Sequence, residues 1–130
     1  MRGYLMSSLS ARPRAAVWIA AVAFTVPHLQ SDGGQQGWLQ HLIYLALPFG
    51  FSVSAGYLAI LTRSVWAAVG IHGGFHLGTV VLVILGLDIG SPVLWIVLGS
   101  AHLVAGLLLS RRIPSERWEE VAALGPYAAR

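Results

Sequence analysis

The run Ser64-Val-Trp-Ala-Ala-Val-Gly-Ile-His-Gly-Gly-Phe-His-Leu-Gly-Thr-Val-Val-Leu-Val-Ile-Leu-Gly-Leu87 decides the class of this chain. It holds 24 residues without one Asp, Glu, Lys or Arg. A bilayer-spanning helix needs about 20 mostly apolar residues, and a soluble domain rarely contains such a stretch. Three further segments share its character. They run from Ala15 to about Leu29, from Trp38 to Leu61, and from Ser91 to Ser110. The last opens with Ser91-Pro92, a good N-cap and first-turn pair. The first ends early for a span, and its basic start with Ala21-Val-Ala23 also suits a signal peptide.

Composition points the same way. Apolar residues make up 56% of the 130 and charged residues only 10%, against about 25% charged in soluble domains. The net charge of +3 comes from eight arginines and no lysine. These arginines flank the apolar runs, so they read as membrane-boundary charges and not as a nucleic-acid surface. With no cysteine, disulfides, thiolate metal sites and thiol nucleophiles are excluded.

The loop charges order the spans. Arg2, Arg12 and Arg14 precede the first segment, Arg63 separates the second from the third, and Arg111, Arg112, Arg117 and Arg130 follow the fourth. Asp32 and Asp88 are the only charges in the other two connections. Four spans put every arginine on one side, the positive-inside pattern with both termini cytoplasmic. The expected fold is therefore an all-α, multi-pass bundle of about four helices in the cell membrane. Residues 1–112 form the membrane domain and 113–130 a cytoplasmic tail, in which Ser115 to Leu124 can form an interfacial helix with Trp118 at headgroup level.

Ionisable residues inside spans are rare and mark function by default. Here they are histidines. His72 and His76, four apart, project from one helix face. Gly70, Gly74 and Gly78 lie about 200° away on the same helix, which predicts a glycine groove against one neighbour and a central place for this segment. Pro27 removes a helix hydrogen bond and leaves the carbonyl of Ala23 unpaired, a break tolerated beside a wet cavity. By rise per residue, His28 and His76 differ by only about 6 Å in depth. His28, His72 and His76 are thus expected to converge. His102, sharing a face with Gly99 and Gly106, is expected to pack and make one hydrogen bond. His41 falls near the outer headgroups, and Pro48 should kink the second span.

Three short elements carry a resemblance. Phe24-Thr-Val-Pro-His28 matches F-x-x-x-H. His72-Gly-Gly-Phe-His76, after Ser64-Val-Trp-Ala-Ala, resembles H-x-x-x-N. Met1-Arg2-Gly3-Tyr4-Leu5 looks like the end of E-E-x-x-x-R, which runs on as F-R-G-y-l. In this order they resemble the CPBP family, the bacterial Abi or CAAX-protease-like intramembrane glutamic endopeptidases, over residues 1–86. The resemblance implies hydrolysis of a peptide or protein substrate within the membrane, without a cofactor. It implies that His28, with a glutamate, activates water, that His72 and the residue at position 76 hold the oxyanion, and that Arg2 and Phe24 support the site. Two departures stand out. His76 replaces the usual Asn, though imidazole can still donate a hydrogen bond. The Glu-Glu pair would precede Met1, and Glu119-Glu120 is no substitute, since position 124 is Leu and not Arg. The chain therefore reads as a C-terminal portion of such a protease, with little activity alone.

Two alternatives stay open. His28, His72 and His76 could form a three-histidine zinc site with an open position for water, although Gly73 stands where H-E-x-x-H has its glutamate. Or the bundle is a non-catalytic scaffold or immunity-type protein.

Overall fold

A computed structural model describes residues 2–32 and 34–128, with Arg2 given by its backbone alone. The described residues form an all-α bundle. Its elements are α1 (Arg2–Ser8), α2 (Pro13–Thr25), a 3-10 turn (Val26–Gln30), α3 (Gly37–Tyr44), α4 (Ala46–Thr62), α5 (Val65–Ile84), α6 (Pro92–Arg111) and α7 (Ser115–Leu124). Among the described residues, three helical stretches are long and apolar enough to cross a membrane: Gly37–Thr62, which joins α3 to α4, Val65–Ile84, and Pro92–Arg111.

The fourth anticipated span differs in form. Its α-helical part is 13 residues long, about 20 Å by rise per residue. The five-residue 3-10 turn that follows adds about 10 Å. Pro27 lacks the N–H that would continue the α-helix from Ala23, so the chain tightens there. The second span breaks at Leu45, three residues before Pro48, and not at the proline itself. The cause is again a missing donor: Pro48 cannot reach the carbonyl of Tyr44.

The glycine expectation is corrected. A Cβ on Gly70, Gly74 or Gly78 would meet no atom within 4 Å, so these glycines form no helix seam. Close approach occurs instead between α4 and α6. A Cβ on Gly50 would lie 1.9 Å from the carbonyl oxygen of Gly99, and one on Gly99 would lie 2.4 Å from that of Ala46. Gly106 meets the backbone of Ser54 in the same way. The central helix is therefore α4, most of whose residues are buried, while α5 buries only Ala68. α4 packs most extensively on α6 and next on α2.

The arginine-bearing segments meet at one end of the bundle. Arg14 lies 5.2 Å over the Trp118 ring, and Arg63, in the α4–α5 turn, forms a bidentate pair with Glu120 of α7. Arg63 ends α4 in a left-handed conformation (φ 58°), and the Ser64 N–H closes the turn on the Ala59 carbonyl at 3.1 Å. The tail is held tightly here. Arg117, 4% exposed, donates from Nε to the Ile60 carbonyl (3.0 Å) and from Nη2 to that of Pro126. Two guanidinium groups beside Glu120 (Arg63, then Arg117) bring its pKa down to about 2, and the same pairing raises that of Arg63. Trp118 and Val121 join the core formed by Met6, Val17, Tyr57 and Ile60, so Trp118 packs into protein and not among headgroups.

Candidate functional site

The site sits where the 3-10 turn, the start of α4 and the middle of α5 face one another. The backbone tightens after Thr25 into the 3-10 turn, which brings the His28 ring against the Phe24 carbonyl. His28 Nδ1 takes it at 2.8 Å. A carbonyl oxygen only accepts, so Nδ1 carries the proton and Nε2 keeps its lone pair. The F-x-x-x-H spacing thus does two things. It supplies the carbonyl that sets the tautomer of His28, and it places the Phe24 ring 4.7 Å from the imidazole.

Phe24 also meets His72 edge-on at 5.9 Å, bridging the first and third apolar segments. Phe51 from α4 forms the floor, 5.4 Å from the His72 ring. On α5, His72 and His76 stand one turn apart with their Nε2 atoms 3.0 Å from each other. One of the two donates this hydrogen bond and the other accepts it.

His28, His72 and His76 line one cavity of about 60 Å³, together with Tyr44, Pro48 and Phe51. That volume exceeds what a single water needs, about 10–15 Å³ of probe space. A larger cleft of about 550 Å³ adjoins it and shares His28, His72 and Phe24. Gly3, Val65 and Ala68 also line the cleft, which is mostly apolar. The three histidines are thus brought together as anticipated. The side chain of Arg2 lies outside the described residues.

Among the described residues, no Asp or Glu lines either cavity. No group of three or more His, Cys, Asp or Glu among them stands close enough to hold a metal ion. The three histidines share a cavity but do not form a three-ligand zinc set.

His102 behaves as a packing residue. Ser54 Oγ donates to the Phe51 carbonyl at 2.8 Å, so His102 Nδ1 is the donor in its 3.2 Å contact with that oxygen. His41 stacks on Trp38 and bonds the Gly37 carbonyl, away from the site.

Sequence reasoning missed Tyr44 and Phe51. Tyr44 is fixed by an edge contact with buried Trp95 at 5.3 Å and lies 6.5 Å from the His28 ring. The available signal was its place four residues before Pro48, where a helix carbonyl must lose its partner. Phe51 had no such signal, being one aromatic within a uniformly apolar run.

The family described as type II CAAX prenyl endopeptidase Rce1-like matches residues 1–78, which include both the F-x-x-x-H and H-x-x-x-H elements. No curated protein and no solved structure matches the chain.

Proposed function

The chain belongs to the Rce1-like family of type II CAAX prenyl endopeptidases, and from that premise we propose that His28 is the base of a peptide-hydrolysing site between the 3-10 turn, α4 and α5. The observation that carries this reading is the tautomer. With Nδ1 committed to the Phe24 carbonyl, Nε2 is the basic nitrogen, on a ring that lines a cavity large enough for water. The substrate is a membrane-associated protein whose scissile bond enters from the adjoining apolar cleft.

The chemistry runs as general-base hydrolysis. Water attacks the scissile carbonyl carbon and gives its proton to His28 Nε2. The imidazolium then protonates the leaving amine as the C–N bond breaks. The developing oxyanion takes an N–H from His72 or His76, whichever holds the shared proton, once that proton turns from its partner. An oxyanion donor is worth about 3–4 kcal/mol of transition-state stabilisation in a protease precedent. Phe24 and Phe51 hold the rings in place. A carboxylate partner for His28 would have to come from outside the residues lining the cavity.

One observation favours the scaffold reading. The His72 and His76 Nε2 atoms face each other and leave the oxyanion position without that N–H. The test is cleavage of a quenched fluorescent prenyl-peptide by the protein in liposomes. His28→Ala should lower the rate about 10²- to 10⁴-fold, the usual worth of a general base. Undiminished cleavage by the variant overturns the role of His28. Absence of any cleavage even when a Glu-Glu pair is supplied upstream of Arg2 overturns the hydrolytic reading and favours the scaffold.

A further inference from the structure

The facing imidazoles on α5 have a second capacity. Their Nε2 atoms are 3.0 Å apart, the separation of two cis ligands on one small cation. With metal–nitrogen bonds of about 2.05 Å, that separation subtends roughly 95° at the metal. A tetrahedral ion wants about 109°, whereas square-planar and octahedral ions want about 90°. The helix sets this distance, because side chains four apart meet on one face. Once the ring bearing its proton on Nε2 shifts it to Nδ1, each Nε2 has a lone pair to offer, and a turn of the rings about their side-chain bonds brings both onto one ion.

An entry path exists. His72 lines the cleft of about 550 Å³ that also reaches Val65, the first residue of α5, about 10 Å away along the helix. His76 is exposed beyond it. The remaining coordination positions would be filled by water. His28 need not take part, in keeping with the lack of any three-ligand grouping among the described residues.

We propose that His72 and His76 form a two-histidine chelate for a divalent first-row ion with near-90° ligand angles, nickel(II) or copper(II), in preference to tetrahedral zinc. This claim concerns binding alone; a bound ion takes both Nε2 lone pairs and so excludes, while it stays bound, the N–H that the hydrolytic reading assigns to the pair.

Nickel chloride titrated calorimetrically into the untagged, detergent-solubilised protein tests it without any activity assay. One nickel per chain should bind. His76→Asn and His72→Gln should each weaken binding roughly a hundredfold, the loss of a chelate advantage. His28→Ala and His41→Ala should leave it unchanged, and zinc should bind more weakly than nickel. Circular dichroism of each variant verifies that it is folded. Full nickel binding by folded His76→Asn overturns the proposal, as does an equal loss in His28→Ala, which would indicate a three-histidine site.

Discussion

Replacing Gly50 by alanine tests the packing on which the site rests. A methyl at position 50 would lie 1.9 Å from the Gly99 carbonyl oxygen. A carbon and a carbonyl oxygen settle at about 3.3 Å or more, so the helices must part by roughly 1.4 Å. Neither side can yield locally, because the obstructing atom belongs to the backbone. Overpacking of this kind costs about 1–3 kcal/mol and occasionally more. The gain in helix propensity returns at most about 1 kcal/mol. A net loss of about 1–2 kcal/mol follows, centred on the α4–α6 seam where Trp95 is buried. Unfolding by sodium dodecyl sulfate in mixed micelles, followed by tryptophan fluorescence and circular dichroism, measures it. Gly74→Ala is the internal comparison. It adds the same methyl where no atom lies within 4 Å, and should change stability by no more than about 0.5–1 kcal/mol, in the favourable direction. Equal effects at the two positions would refute the assignment of α4, and not α5, as the packing centre.

Other consequences are as direct. Arg117→Met removes the donor to the Ile60 and Pro126 carbonyls and should cost about 2–4 kcal/mol in the same unfolding assay. The Glu120 carboxylate, its pKa brought from 4.5 to about 2, stabilises the fold fully above its unfolded value. That stability is lost as pH falls from about 4.5 through about 2, so a pH series of unfolding midpoints should lose part of its acid slope in Glu120→Gln. Pro27→Ala restores a donor for Ala23, lets α2 run on through the 3-10 turn, and turns the His28 ring away from its present position. Cleavage should then fall about a hundredfold with the fold intact, the usual result of displacing a catalytic group by about 1 Å.

Much of this architecture was legible in the apolar runs and their borders. Ser91-Pro92 opens α6 and Arg63 closes α4 where the apolar runs begin and end, because proline geometry and charge act locally and need no knowledge of neighbours. The convergence of His28 with His72 and His76 was legible for a similar reason. Helical spacing and depth along the membrane normal are one-dimensional quantities. What escaped was the choice among equivalent small residues. Gly99 and Gly106 pack as the face they share with His102 implied, but Gly70, Gly74 and Gly78, with equally regular spacing, line no seam. Only the partner backbone distinguishes them, and spacing within one helix carries no information about it. Arg117 escaped likewise. It reads as a boundary charge, but the Ile60 carbonyl it bonds lies 57 residues away in sequence.

The central claim is the protonation pattern of His28, and nitrogen-15 solid-state NMR of the histidine-labelled protein in lipid reads it directly. The His28 signals of the neutral ring, assigned by their loss in His28→Gln, should show a protonated Nδ1 and an unprotonated Nε2. A proton found on Nε2, with Nδ1 bare, would contradict the bond to the Phe24 carbonyl and with it the role of this imidazole as the base.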